Sequence, residues 1–246
     1  MPVDSESFVI LENVDSTNNY AMGKIHSGEA KDGNAWFAKE QTEGKGQLGR
    51  IWETETGQNI ILSIVADTRF LQVYQQFQLS VAVSLSCYDF FKAYHNIKLK
   101  IKWPNDLFWN DKKAGGILIE NIIKGNIWEW AVIGIGININ QTAFDEHLRN
   151  PVSVKQITGK DWDIIELAKE LCDCLEQRYS ILTTKNSNKI LEEYNAVLYK
   201  LNEKVKLKKD NAVFETIIKA VSPEGMLLTK DTMERTFNFG EVEWVI

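Results

Sequence analysis

Apolar residues recur along the chain at two spacings, and the change from one to the other divides it. Phe8 to Leu11 reads as a short strand. Asp15-Ser16-Thr17-Asn18 then offers side chains able to cap a helix carrying Tyr20, Ala21, Met22 and Ile25, closed by Gly28. Asn34 to Glu40, built on Trp36-Phe37-Ala38, predicts a second strand, and Asn59 to Val65 a third. Between them Gln41 to Arg50 is polar and glycine-rich, hence a loop. Leu79, Ala82, Val83, Cys87, Phe90, Phe91 and Tyr94 recur at three- and four-residue steps, the buried stripe of a long helix. Lys98 to Trp103 alternates lysine with Leu99, Ile101 and Trp103, a strand with one wet face. Ala114 to Ile123 and Trp128 to Asn138 are strongly apolar, which suits central strands of a covered sheet. Ile164 to Leu182 is helical, with Ala168, Leu171, Cys172, Leu175 and Leu182 on one side, and Ile190 to Leu198 continues helical.

From Lys204 onward the pattern changes to short strands: Val205 to Leu207, Val213 to Val221, Met226 to Thr229, Thr236 to Phe239 and Val242 to Ile246. Turn signals sit at Asp210-Asn211, Pro223-Glu224-Gly225 and Gly240. The pattern predicts two units: an α/β domain over residues 1–199 and a small β-barrel over residues 200–246.

Composition narrows the class. The chain has 246 residues, 44% hydrophobic and 25% charged, enough for a full core. No apolar run approaches the ~18 residues of a membrane helix. The start, Met1-Pro2-Val3-Asp4-Ser5-Glu6, lacks the basic-then-apolar pattern of a signal peptide. A cytoplasmic protein with no membrane partner is the expectation. The net charge of −6 argues against an electrostatic grip on duplex DNA, while leaving room for a local anion site. The 3 cysteines, Cys87, Cys172 and Cys174, are too few for a disulfide framework. Cys172 and Cys174 lie two apart in a helical pattern, so they point about 200° apart and cannot share an ion.

Three segments can carry chemistry. Gly44-Lys45-Gly46-Gln47-Leu48-Gly49-Arg50-Ile51-Trp52 has the spacing of a dinucleotide fingerprint. That fingerprint requires a helix opening on the glycines, and Arg50 to Gly57 has no helical period. What remains is a loop with bare amides and two cations, Lys45 and Arg50, able to fold over a phosphate. Lys102-Trp103-Pro104-Asn105-Asp106 precedes Lys113-Ala114-Gly115-Gly116, with a turn at Asn110-Asp111-Lys112. A lysine entering an apolar strand beside two glycines is a plausible anion clamp, with Asp106 near it. Gly134-Ile135-Gly136-Ile137-Asn138 keeps one strand face bare. A planar ligand or tight helix-on-strand packing would each explain that groove.

Taken in order, Asp15-Ser16-Thr17-Asn18, the Gly44 to Arg50 loop, Lys102 to Asp106 with Lys113 to Ile117, and Gly134 to Asn138 resemble the signature of biotin protein ligases. The resemblance covers about residues 7 to 140 by motif and the remainder by architecture. It implies a mixed α/β (α+β) sheet flanked by helices, like the catalytic domain of class II aminoacyl-tRNA synthetases, with a C-terminal SH3-like barrel. It implies that ATP activates biotin to biotinyl-5′-AMP. Biotin then passes to a lysine of a biotin carboxyl carrier protein or carrier domain. Carried over residue by residue, it implies that Ser16, Thr17, Asn18 and Gln41 line a biotin pocket with Gly115 and Gly116. Lys45, Gly46 and Gln47 would close over biotin and the adenylate. Arg50 and Trp52 would sit on the nucleotide side, and Lys113 would touch both the biotin carboxylate and the α-phosphate. Asp106 would orient or deprotonate the acceptor lysine. Asn105 and Asn138 would contact nucleotide or its Mg2+, whose ligands are otherwise unassigned.

Two departures stand out. Some family members begin with a DNA-reading helix-turn-helix domain, and with the Ser-Thr-Asn motif already at residue 16 none is expected here. Gln47 replaces the arginine of many relatives. The rival expectations are a lipoate or octanoate ligase of the same superfamily, a non-catalytic biotin or nucleotide sensor, and a tRNA-binding synthetase relative. A homodimer is compatible with the sequence and not required by it.

Overall fold

A computed structural model describes residues 1, 3, 7–93, 97–183 and 187–245. Tyr94, Pro2, Asp4 to Glu6 and Ile246, used in the sequence reading, lie outside the described residues.

The first unit is a seven-stranded sheet. In chain order its elements are β1 (Phe8–Val14), α1 (Thr17–His26), β2 (Ala35–Gln41), β3 (Asn59–Asp67), α2 (Gln76–Ala93), β4 (Leu99–Lys102), β5 (Asp106–Trp109), β6 (Lys112–Lys124) and β7 (Ile127–Asn138). Three helices follow: α3 (Val154–Thr158), α4 (Ile164–Leu182) and α5 (Ser187–Ala196). The strands run β1-β2-β3-β7-β6-β5-β4 across the sheet. Only β1 and β2 pair in parallel, and the other neighbours are antiparallel, so the sheet is mixed.

The two faces of this sheet are chemically different, and β7 shows why. Ile133, Ile135 and Ile137 point into the main core, under α2 and α4. Gly134 and Gly136 alternate with them and face the other way, because successive residues of a strand project to opposite faces. On that second face α1 packs Ala21 against Trp36, Val65 and Val132. α1 covers one part of the face, and the remainder is the floor of the cleft described below.

The sequence reading missed two elements. Asp106 opens β5, a strand that hairpins into β6 through Asn110 in the left-handed region (φ 52°). The sequence reading placed the turn at Asn110-Asp111-Lys112 and named no strand for the four residues before it. α3 is one turn of helix started by a capping box between Ser153 and Gln156. The other boundaries shift by a few residues, as helix and strand ends commonly do.

The second unit is a five-stranded antiparallel sheet: β8 (Lys204–Lys209), β9 (Ala212–Val221), β10 (Leu227–Lys230), β11 (Glu234–Phe237) and β12 (Glu243–Val245), ordered β11-β10-β9-β8-β12. Its buried residues Leu207, Ile218, Val221, Leu227 and Phe237 belong to the same continuous core as the first sheet. Trp103 crosses the boundary and donates its indole N–H to the Gly225 carbonyl at 2.9 Å. Asn195 also crosses it, accepting from the Val221 N–H at 2.7 Å and donating to the Val221 carbonyl at 3.1 Å.

Candidate active site

Strand register builds the floor of the cleft. Ile61, Gly136, Gly116, Asp106 and Lys102 are cross-strand partners in turn, one row running from β3 to β4. The neighbouring row is Ser63, Gly134 and Leu118, and the next is Val65, Val132 and Glu120. Above these rows lies a cleft, about 490 Å³ with the open solvent at its entrance included, lined from the α1 N-terminus, the loop after β2 and strands β3, β6 and β7.

At one end the lining is a network of neutral polar groups. The Ser16 hydroxyl caps α1 and sets Thr17 and Asn18 at its first turn, where both are buried. Gln41 Oε1 accepts from the Thr17 N–H at 2.7 Å and lies 3.0 Å from the Thr17 hydroxyl. Ser63 Oγ lies 2.6 Å from Asn18 Oδ1 and 2.7 Å from Thr17 Oγ1. Asn18 Oδ1 can only accept, so Ser63 donates there. Asn18 Nδ2 donates to Glu120 Oε2 at 2.7 Å. Gly134 is required beneath this network: a Cβ there would collide with the Asn18 side-chain amide.

The loop after β2 folds back on itself. The Gly46 N–H donates to the Arg50 carbonyl at 2.7 Å, and the Trp52 N–H to the Gly44 carbonyl at 2.9 Å. The turn between them places Leu48 and Gly49 at positive φ. Lys45 and Gln47 reach the cleft from this loop, and Lys45 Nζ stands 3.9 Å from Glu120 Oε1. Trp52 lays its indole on Gly136, where a Cβ would come within 2.5 Å of the ring. The two glycines therefore do different jobs: Gly134 admits the helix α1 side chain, and Gly136 admits an aromatic plane.

The opposite end is cationic. Lys113 Nζ pairs with Asp106 Oδ1 at 2.6 Å and lies 5.5 Å from the centre of the Trp52 ring. Lys102 Nζ is 3.7 Å from the other Asp106 oxygen. Burial pushes the Lys102 ammonium below the usual lysine range, partly offset by the Asp106 charge. Asn105 ties β5 to β6, donating its Nδ2 to the Ile117 carbonyl at 2.7 Å.

Residues 10–138, just over half of the chain, match the Biotin/lipoate A/B protein ligase family. The chain belongs to this family. Among curated relatives, the Biotin--[acetyl-CoA-carboxylase] ligase of Paracoccus denitrificans is 29% identical, over 90% of this chain and 93% of that protein. The bifunctional ligase/repressor BirA of Escherichia coli is 28% identical, over 98% of this chain and 74% of its own length. Among solved structures, the biotin protein ligase from Aquifex aeolicus in complex with biotin and ATP superposes with a TM-score of 0.81. It is 25% identical and covers 96% of this chain and 97% of its own.

Of the residues singled out for this family from sequence, Ser16, Thr17, Asn18, Gln41, Lys45, Gly46, Gln47, Trp52, Asn105, Lys113 and Gly116 line the one cleft. Asp106 stands at its edge through Lys113. Three lie elsewhere. Gly115 faces the core side of the sheet, against Leu107 and Ile137. Asn138 is buried, and its amide donates to the Val152 carbonyl at 3.2 Å. Arg50 keeps an exposed side chain, and its carbonyl holds the loop. Sequence reasoning gave no role to Ser63, Glu120 or Lys102. A polar residue interrupting an apolar run was the available signal for the first two.

The cysteines take no part. Burial pushes the Cys172 thiol up to about 12 and the Cys174 thiol to about 11, and Cys87 is fully buried. Among the described residues, Glu53, Asp145 and His147 could converge on a metal ion, and that trio is exposed and outside the cleft lining. No described helix is long and apolar enough to cross a membrane.

Proposed function

We propose that this chain joins biotin to ATP and passes the activated biotin to a lysine of a biotin carboxyl carrier protein or carrier domain. The observation that carries the biotin reading is the neutral polar network of Thr17, Asn18, Gln41 and Ser63. Biotin ends in a ureido ring with one carbonyl acceptor and two N–H donors, which such amides and hydroxyls can satisfy. A linear lipoyl or octanoyl chain would offer these groups no hydrogen-bonding partner of its own. In the first step a biotin carboxylate oxygen attacks the α-phosphorus. A P–O bond forms, the α–β bridging P–O bond breaks, and pyrophosphate leaves. In the second step the acceptor amine attacks the biotinyl carbonyl. A C–N bond forms, the C–O bond to phosphate breaks, AMP leaves, and the amine loses a proton. Lys113 and Lys45 approach the cleft from the strand and the loop, and both would offset oxyanion charge. Trp52 and Gly136 would supply the flat surface on the nucleotide side. Mg2+ would enter with the ATP phosphates. Asn105, with Nδ2 committed to Ile117, would present Oδ1 to it or to the nucleotide. We assign residues 1–199 as the catalytic domain and residues 200–246 as an SH3-like barrel.

The deciding experiment is biotin-dependent ATP–pyrophosphate exchange followed by transfer to a carrier domain, with lipoate and octanoate in parallel. Exchange with biotin alone is the expected result. Exchange with lipoate instead identifies the rival ligase, and biotin binding without exchange identifies a sensor.

Gln47 lines the cleft without a charge. A charge-assisted hydrogen bond is about twice as strong as a neutral one. Gln47→Arg is therefore expected to slow escape of biotinyl-AMP while changing its formation little. Forming the adenylate on the enzyme, diluting it and timing release checks this. Equal release rates would place the retention on Lys45 or the loop.

A further inference from the structure

Lys102 is a lysine on the wrong side of the usual balance. Its side chain is only 13% exposed. Asp106 is its one carboxylate neighbour within ion-pair distance among the described residues, and that carboxylate already has a closer partner in Lys113. The ammonium lies 5.0 Å from the centre of Phe108, on the first sheet, and 5.3 Å from the centre of Trp244, on β12 of the second. Trp244 is fixed by packing on Tyr199, and its buried indole N–H has no hydrogen-bond partner. An aromatic slot stabilises a cation through its ring faces and brings no competing anion. The charge of Lys102 is thus left for Asp106, in the same cross-strand row as the glycine floor.

We propose that Lys102 is a positioning residue for the second half-reaction, holding Asp106 in place when Lys113 turns to the adenylate. This rests on the biotin-ligase reading above. Lys113 cannot serve a biotinyl phosphate and remain fully paired with Asp106. A carboxylate that is 16% exposed and loses its counter-ion would be free to swing out of place. Lys102 prevents this, so Asp106 stays aimed at the incoming amine while the C–N bond forms and AMP leaves. Because Trp244 closes the slot, the second sheet becomes part of the acceptor side of the site.

The test measures the two half-reactions separately on the full chain: pyrophosphate release with biotin and ATP, then single-turnover transfer of bound biotinyl-AMP to a purified biotin carrier domain. Lys102→Met should slow transfer by about tenfold more than it slows adenylate formation, with the loss in the rate and not in the KM for the carrier. Lys102→Arg, which keeps the charge and can stack in the slot, should recover most of the transfer rate. Trp244→Leu should shift the same ratio in the same direction, and it carries the test if Lys102→Met does not fold. Equal losses in both half-reactions, no loss at all, or a failure of arginine to rescue would overturn the proposal. If the unaltered chain releases no pyrophosphate with biotin, the biotin-ligase reading fails first, visibly, and the role of Lys102 falls with it.

Discussion

Lys113→Ala will form biotinyl-5′-AMP about 10²–10³-fold more slowly than the unaltered chain, the usual cost of losing one charge-stabilising contact at a reacting oxyanion. The expectation follows from placement. Lys113 enters at the start of β6, and its ammonium stands between the Asp106 carboxylate and the Trp52 ring, at the mouth of the cleft. Lys45, the other cation lining the cleft, hangs on a loop and meets Glu120 only at 3.9 Å. It is poorly placed to substitute. The fold should tolerate the change, since the Lys113 side chain is 31% exposed and Asp106 keeps Lys102 beside it. Pyrophosphate release measured beside a thermal melt checks both halves. A folded variant releasing pyrophosphate at a near-normal rate would remove Lys113 from the chemistry.

A chain ending at Leu198 will lose biotin transfer altogether and will not stay soluble. The short-strand pattern after Lys204 suggests a separable module, and the packing points the other way. Leu207, Ile218, Val221, Leu227 and Phe237 complete a core shared with the first sheet. Removing them bares Trp103 and Phe108, both nearly buried, and leaves the Trp103 N–H and the Asn195 amide without the Gly225 and Val221 backbone. Each large apolar side chain re-exposed costs about 1.5–3 kcal/mol, against a total stability of about 5–15 kcal/mol for a domain of ordinary size. Removal also opens the aromatic slot around Lys102. Expression, gel filtration and transfer to a carrier domain measure the outcome. A soluble, fully active 1–198 chain would show that the second sheet is dispensable.

Particular residues show how far a linear pattern reaches. Ser16 as a helix cap, the apolar stripe from Leu79 to Phe91, and Lys113 beside its glycines depend on neighbours within a few positions, so spacing reveals them. The glycines of β7 were visible as a bare strand face, while their occupants were not. Asn18 reaches Gly134 and Trp52 reaches Gly136 only through the folding of α1 and the loop onto the sheet. The places of Asn138 and Gly115 were out of reach for the same reason. Motif membership does not say which face a residue takes, and these two turn toward the core and the backbone.

The sequence by itself determined the order of most elements, the change to short strands after residue 200, and the identity of the cations and amides available for chemistry. Each of these depends on local spacing, capping and residue type, which operate along the chain. The tertiary structure alone decided that Ser63 and Glu120 join the Asn18 network, that Trp52 lies on Gly136, and that Lys102 is held between Phe108 and Trp244. These contacts join residues from distant parts of the chain, including from Lys102 to Trp244 across two sheets. They are fixed by strand register and by the burial of both sheets on one core.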